Sequence, residues 1–368
     1  MKIIQSKLPL SQTNFRRKLR HECAKRAKDM LTTTKVTFFK SEDGIEYLMS
    51  VSLDGNLTIW NLSYSKRDVK RKRNIMDTDF VFQVKVSDAP LFDIVELNSN
   101  RLACCGTDGI FLLDWRYIIS NKGKKSVTDH IIHLNAFSDS NVPVTSLSVC
   151  SGMLFAAASK QALVWDVEDC DLIGTLYDSS LPSKSIQVIQ VYSSNKECEI
   201  LTGGNDRLCF WDGSERSLLH EINLSDSNHE HMKKSSESSI IIKCINVDNG
   251  ASWAVIGGEC LNSFEGKGFI SLINIRTRSL CDFHFTRETI HGVSYHEKGI
   301  LSVGNESVVS FWNLFLGNER TERSPVSLKS CHCIAVDPIS QAIAIGGVGC
   351  EISYFTKHWF QSGALEYP

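Results

Sequence analysis

Read for its alternation of apolar and polar positions, the chain is a succession of short strands. Val144-Thr145-Ser146-Leu147-Ser148-Val149 and Ser185-Ile186-Gln187-Val188-Ile189-Gln190-Val191 alternate with the period of two expected of a strand with one buried face. Each leads into a strand of small and apolar residues, a polar turn, and a further strand that ends in an aromatic. That unit recurs. Its clearest copies run from Ser50 to Asn61, with a turn at Asp54-Gly55 and Trp60 at the end, and from Leu201 to Asp212, with Asn205-Asp206 and Trp211. Ser302 to Asn313 carries Trp312, and Ala157 to Asp166 carries Trp165. A fifth copy, Cys105 to Trp115, places Trp115 in the aromatic slot. Two weaker copies follow Gly257-Gly258, with Ile273 in the slot, and Gly346-Gly347, with Phe355.

The slots therefore stand at 60, 115, 165, 211, 273, 312 and 355; the closest neighbours, 273 and 312, are 39 apart and the most distant, 211 and 273, are 62 apart. Four-stranded β-propeller blades repeat every ~40–45 residues. The longer intervals hold polar inserts, Ser63 to Asp79, Asn121 to Ser126 and Ser225 to Ser239, which a blade can extrude as loops. The pattern predicts an all-β, seven-bladed propeller over residues 34–368. A β-sandwich is the competing architecture, and it offers no reason for seven copies of an aromatic slot. In a propeller the small residues allow close backbone approach near the central channel, and the Asp-Gly or Asn-Asp pair makes the tight turn. The slot side chain packs between neighbouring sheets, where an aromatic buries about 150–250 Å².

The first residues follow another period. Ser11 to Met30 lacks Gly and Pro, and Phe15, Leu19, Cys23, Ala27 and Met30 fall on one helical stripe with Ser11 or Thr13 as cap. Residues 1–33 are accordingly read as a short N-terminal helical extension. At the other end Trp359 to Tyr367 is a candidate outer strand of the seventh blade, with the means of ring closure left open.

The repeat is identified as that of the WD-repeat superfamily. It departs from the standard unit: Trp165-Asp166 and Trp211-Asp212 alone carry the Trp-Asp pair, and no Gly-His dipeptide occurs. The hydrogen-bonded tetrad common in that family is therefore not expected in most blades. A narrower resemblance is to the THO complex subunit 6 family. It rests on Ser252 to Gly258, on Gly299 to Gly304 leading to Phe311-Trp312, and on Gly346-Gly347 leading to Glu351 to Thr356. The order of features is shared too: a helix entering blade one, seven blades, and a short tail after Phe355-Thr356. This resemblance implies a nuclear, non-catalytic scaffold subunit of the THO/TREX assembly, which couples transcription to mRNA processing and export. The implied partners are other THO subunits, notably the coiled-coil subunits 5 and 7, with the mRNA ribonucleoprotein contacted indirectly.

Composition adds limits. The chain has 368 residues, 42% of them hydrophobic, a formal net charge of -2 and 13 cysteines. Cys104, Cys105, Cys150, Cys209, Cys244 and Cys333 fall in apolar strand-like runs, as reduced thiols do in a reducing compartment. Met1 to Leu10 holds Lys2 and Lys7 without the apolar run of a secretory signal, and no window is apolar enough to span a bilayer. The expectation is a soluble intracellular protein with no membrane contact.

Candidate chemistry is sparse. Arg16, Arg17, Lys18, Arg20, Lys25, Arg26 and Lys28 crowd the predicted helix. They read either as a contact for RNA phosphates or an acidic partner, or as the solvated face of a docked helix. Lys66, Arg67, Lys70, Arg71, Lys72 and Arg73 form a second basic run, either a nuclear-import or nucleic-acid patch or a plain charged loop. Cys331-His332-Cys333 and His229-Glu230-His231 lack zinc spacing; in a regular strand Cys331 and Cys333 face one side and His332 the other. No Gly-x-Ser-x-Gly, Walker loop or His-Glu-x-x-His occurs, so neither catalysis, a cofactor, a metal nor a small-molecule substrate is expected. The alternative function is an adaptor in another complex, such as a ubiquitin-ligase substrate receptor, although the Trp-Asp-x-Arg motif of such receptors is missing after Trp165 and Trp211.

Overall fold

The computed structural model describes residues 31–367 apart from 42–43, 63–80, 99, 122–129, 135–142, 160, 177–184, 195–196, 226–238, 262, 264–265, 314–317, 350 and 357–360. The predicted N-terminal helix and both basic runs lie outside the described residues, as do His229, Glu230 and His231.

The strands form seven separate four-stranded antiparallel sheets, each made of four consecutive strands paired in chain order. Blade one comprises Thr33–Lys40, Glu46–Ser52, Asn56–Asn61 and Val81–Lys85. Blade two comprises Leu91–Asn98, Arg101–Gly106, Gly109–Asp114 and Ile131–Leu134. Blade three follows with Ser146–Cys150, Met153–Ala158, Gln161–Asp166 and Leu172–Leu176, and blade four with Ile186–Ser194, Glu197–Gly204, Arg207–Asp212 and Leu218–Asn223. Blade five is Ser239–Val247, Trp253–Leu261, Gly268–Asn274 and Ser279–Thr286. Blade six is Ile290–His296, Gly299–Gly304, Val308–Asn313 and Asn318–Pro325; blade seven is Ser330–Val336, Ile343–Val348, Glu351–Phe355 and Gln361–Glu366. The first strand of each blade packs on the first strands of both neighbours, including blade seven on blade one, so the first strands line the centre of a closed ring.

The core is divided among the seams. Seven hydrophobic clusters correspond to the seven blade–blade contacts, from Trp60 with Ala344 and Ile352 between blades one and seven, to Phe355 with Leu301 and Val309 between blades seven and six. Each slot side chain packs against the preceding blade: Trp165 on Leu112 and Ala103, Trp211 on Phe155 and Val164, Ile273 on Phe210, Trp312 on Val255 and Ile270.

Blade two corrects the expected slot. In the other six blades the slot residue lies opposite the same point of the second strand, as in Leu48–Trp60, Leu154–Trp165, Ile200–Trp211 and Ile343–Phe355. In blade two that register belongs to Leu102–Leu113, so Leu113 fills the slot and Trp115 stands two residues beyond it. Trp115 instead opens a short helix, Trp115–Ser120, capped by Asp114, whose carboxylate accepts a hydrogen bond from the Tyr117 N–H at 3.0 Å. Trp115 is still buried on blade one, edge-on to Phe39 and Tyr47. The polar residue after the slot has one recurring task. Asp166 accepts from the N–H groups of Glu168 and Asp169, Asp212 from those of Ser214 and Glu215, and Asn274 from that of Thr277. Asp114 does the same after Leu113, which marks Leu113-Asp114 as the pair matching Trp165-Asp166.

The glycine pairs also divide their labour. A Cβ on Gly203 would come within 2.7 Å of Ile242 in the next blade, while one on Gly204 would collide with the Ser185 carbonyl of its own blade. The first glycine thus permits blade-to-blade packing and the second permits a β-bulge at the start of the innermost strand. Such register shifts occur there in six blades, between Thr33 and Lys35, Leu91 and Asp93, Ile186 and Val188, Ile242 and Cys244, Ile290 and Gly292, and Cys331 and Cys333. The first strand of blade three pairs without a shift.

Among the described residues the ring closes with every blade built of four consecutive strands, so its last blade and its first are separate sheets. Gln361–Glu366 pairs as the outer strand of blade seven. The seam to blade one is made by side chains and by a few backbone bonds, including Gly349 N–H to Leu31 C=O at 2.9 Å. Tyr367 plugs it, its phenol 2.6 Å from Thr33 Oγ1 and 2.8 Å from Ser50 Oγ, its ring edge-on to Trp60.

Candidate functional site

The bulges deliver one extra residue per blade to the inner circle: Thr34, Phe92, Gln187, Lys243, His291 and His332. Blades five to seven place basic or titratable groups there. The rings of His291 and His332 stack 4.9 Å apart, nearly parallel. His291 Nε2 meets Asn305 Oδ1 at 2.7 Å, His332 Nε2 meets Ser330 Oγ at 2.9 Å, and Lys243 pairs with Glu259 at 2.7 Å. Burial lowers the pKa of both histidines, that of His332 to about 4, with the other histidine and Lys243 adding to the effect there. The bulge also overturns the strand reading of Cys331-His332-Cys333. Cys331 is buried in the seam to blade six and Cys333 in the seam to blade one, because the extra residue reverses the alternation between them.

On the other side of the channel, Lys35 reaches Asp93 at 3.1 Å. Asp93 is only 3% exposed, and it also accepts from the N–H groups of Ile94 and Leu147 and from Ser146 Oγ, so one carboxylate ties blades one, two and three. Lys35 keeps 40% of its side-chain surface open to the channel although protein surrounds it. Burial acts to lower its pKa, but Asp93 outweighs this and the ammonium is held above its ordinary range.

On the face opposite the bulges, a cavity of about 230 Å³ opens where blades seven, one and two meet. Phe38 and Tyr354, packed edge-to-face on each other, line one wall of it. Among the described residues Glu46, Glu96 and Asp337 line it together with Lys40. Burial raises the Glu96 pKa; burial, then Glu46 and Asp337, push the Tyr354 phenol up to about 12. At its lip Ile339 is 74% exposed, held by a turn in which Asp337 accepts from the Ser340 N–H at 2.9 Å.

The slot residues Trp60, Trp165, Trp211, Ile273, Trp312 and Phe355 lie in the seams and not in these surfaces, as does Trp115. Arg16, Arg17, Lys18, Arg20, Lys25, Arg26, Lys66, Arg67, Lys70, Arg71, Lys72 and Arg73 fall outside the described residues. Among the described residues no group of three or more His, Cys, Asp or Glu is placed to hold a metal ion, and no helix is long and apolar enough to cross a membrane.

The chain matches no protein-family model, and no curated protein matches it.

Lys35, Asp93, Lys243, His291 and the cavity residues escaped the sequence reading. Lys35 with Asp93, His291 with His332, and Phe38 with Tyr354 meet across blades, and Lys243 and His291 reach the channel only through bulges; neither propensity nor spacing within one repeat signals such contacts.

Proposed function

We propose that this propeller is of the WD-repeat type and is a non-catalytic scaffold subunit of a THO/TREX assembly, acting in the nucleus through protein–protein contacts that couple transcription to mRNA processing and export. Support for the repeat type comes from blades four and six, where the slot indoles donate to Thr202 Oγ1 at 2.9 Å and to Ser302 Oγ at 2.8 Å. The Asp of each Trp-Asp pair caps the following turn. The THO assignment rests on the resemblance carried by Ser252 to Gly258, Gly299 to Trp312 and Gly346 to Thr356.

The observation that carries the scaffold reading is the cavity between blades seven, one and two. It is an aromatic-walled pocket with an acidic rim and an exposed Ile339 at its edge, mounted on strands whose positions the seams fix. Such a pocket suits an apolar anchor flanked by basic residues on a partner helix. The test is affinity purification of the tagged protein from nuclear extract beside an Ile339→Asp/Glu96→Lys variant. Wild type is expected to recover THO subunits, including subunits 5 and 7, and the variant to lose them while keeping its melting temperature. Recovery of ubiquitin-ligase subunits without THO components would replace this reading with the adaptor one.

A further inference from the structure

Two thiols from neighbouring blades meet at the seam between blades three and four. Cys150 ends the first strand of blade three, and its Sγ lies 3.4 Å from Ser151 Oγ and 3.7 Å from Ser193 Oγ. Ser193 and Cys198 are direct cross-strand partners in blade four, a pairing that sets their side chains side by side. Cys150 therefore sits beside the Cys198 side chain and packs on the cluster that contains it. Cys150 is partly open to solvent, whereas Cys198 is buried. Most other described cysteines, such as Cys104, Cys105, Cys244 and Cys333, are buried.

We propose that Cys150 and Cys198 form a peroxide-responsive pair, in which Cys150 is the attacking thiol and Cys198 the resolving one, and whose product is a disulfide stitching blade three to blade four. Ser151 and Ser193 can both donate to a Cys150 thiolate. Burial raises the Cys150 pKa, but the bonds from Ser151, Cys198 and Ser193 outweigh it and leave the thiol below its ordinary range. Burial, then Cys150 itself, pushes Cys198 up to about 12, so Cys198 keeps its proton while Cys150 reacts.

In the first step the Cys150 sulfur attacks one oxygen of hydrogen peroxide. An S–O bond forms, the O–O bond breaks, and hydroxide leaves and takes up a proton to become water. Cys150 is oxidised to the sulfenic acid and the peroxide is reduced. In the second step the Cys198 sulfur attacks the Cys150 sulfur; the S–S bond forms, the S–O bond breaks, and the hydroxyl departs with the Cys198 proton as a second water. Two thiols and one peroxide give one disulfide and two waters.

The sequence suits the readout, because trypsin releases Cys150 in the peptide 126–160 and Cys198 in 197–207, each with no other cysteine. The full-length protein is treated with hydrogen peroxide, alkylated, digested and analysed by mass spectrometry with and without a reductant. The expected result is a reductant-sensitive link between these two peptides, formed before Cys281, which is exposed, is modified. Cys198→Ala is expected to leave a Cys150 sulfenic acid that dimedone traps, and Cys150→Ser to leave Cys198 unmodified. Modification of Cys150 no faster than Cys281 in the wild type would overturn the proposal. Conversion of Cys150 to the sulfinic acid with Cys198 still free would overturn it as well. Both readings come from the unmutated protein, so neither depends on a variant folding.

Discussion

The phenol of Tyr367 lies 2.6 Å from the hydroxyl of Thr33, a contact between the residue that follows the last strand of the ring and the strand that begins it. The same phenol reaches Ser50, and Trp60 lies edge-on to its ring. Because the described strands of the first and last blades form separate sheets, this seam carries the closure that a shared sheet would otherwise supply through backbone bonds. Tyr367→Phe keeps the packing and removes the phenol oxygen, leaving the buried Thr33 and Ser50 hydroxyls without it. The expected cost is about 1–3 kcal/mol, read as a lower urea midpoint with unchanged slope. An unaltered midpoint would mean that the seam does not depend on these bonds.

The slot tryptophans are predicted to differ in what their indole nitrogens contribute. Trp165→Ala and Trp211→Ala each leave a seam cavity and should cost about 3–5 kcal/mol. Trp211→Phe also removes a buried bond to Thr202, whereas Trp60 Nε1 has no hydrogen-bond partner among the described residues. Ser50, placed in blade one as Thr202 is in blade four, is engaged by Tyr367 instead. Trp211→Phe should therefore lose about 1 kcal/mol more than Trp60→Phe in matched denaturation curves. Equal losses would show that the indole bond has no net weight.

Much of this architecture was legible because the repeat writes its physics locally. The slot aromatic, the polar residue after it and the glycines before the turn stand close together in sequence, and each has one job within a blade. Blade two was misread because Trp115 outweighs Leu113 in bulk, although the Asp114 that follows Leu113 carries the same signal as Asp166 after Trp165. The bulges were not legible. Period-two reasoning put Cys331 and Cys333 on one face, and nothing in the sequence announces an inserted residue. Lys35 with Asp93, or Phe38 with Tyr354, are contacts between blades, set by the seven-fold closure and not by any one repeat.

The channel ion pair leads to an asymmetric prediction. Asp93 is nearly inaccessible and accepts four hydrogen bonds or charge contacts, from Lys35, Ile94, Ser146 and Leu147. Asp93→Ala strands these donors across three blades and should cost about 3–5 kcal/mol. Lys35→Met leaves Asp93 with its other donors, and Lys35 itself is half open to the channel, so solvent screening holds its loss to about 1 kcal/mol or less. Thermal unfolding of the two variants side by side checks the order, and a reversed order would place the stabilising interaction in Lys35's other surroundings.

The stacked histidines give the fold a pH dependence of determined sign. Burial lowers the folded-state pKa of His291, and that of His332 to about 4, below the ordinary 6.5 that each regains when unfolded. Between those limits the unfolded chain binds more protons than the folded one, so stability is full above pH about 6.5 and is lost as pH falls toward about 4. Two protonated rings would also face each other at 4.9 Å with Lys243 nearby, against the opposing charge of Glu259. A His291→Gln/His332→Gln variant removes both titrations, so its urea midpoint should fall less steeply than that of the wild type across this interval. Parallel curves for the two proteins would assign the acid sensitivity to groups elsewhere in the ring.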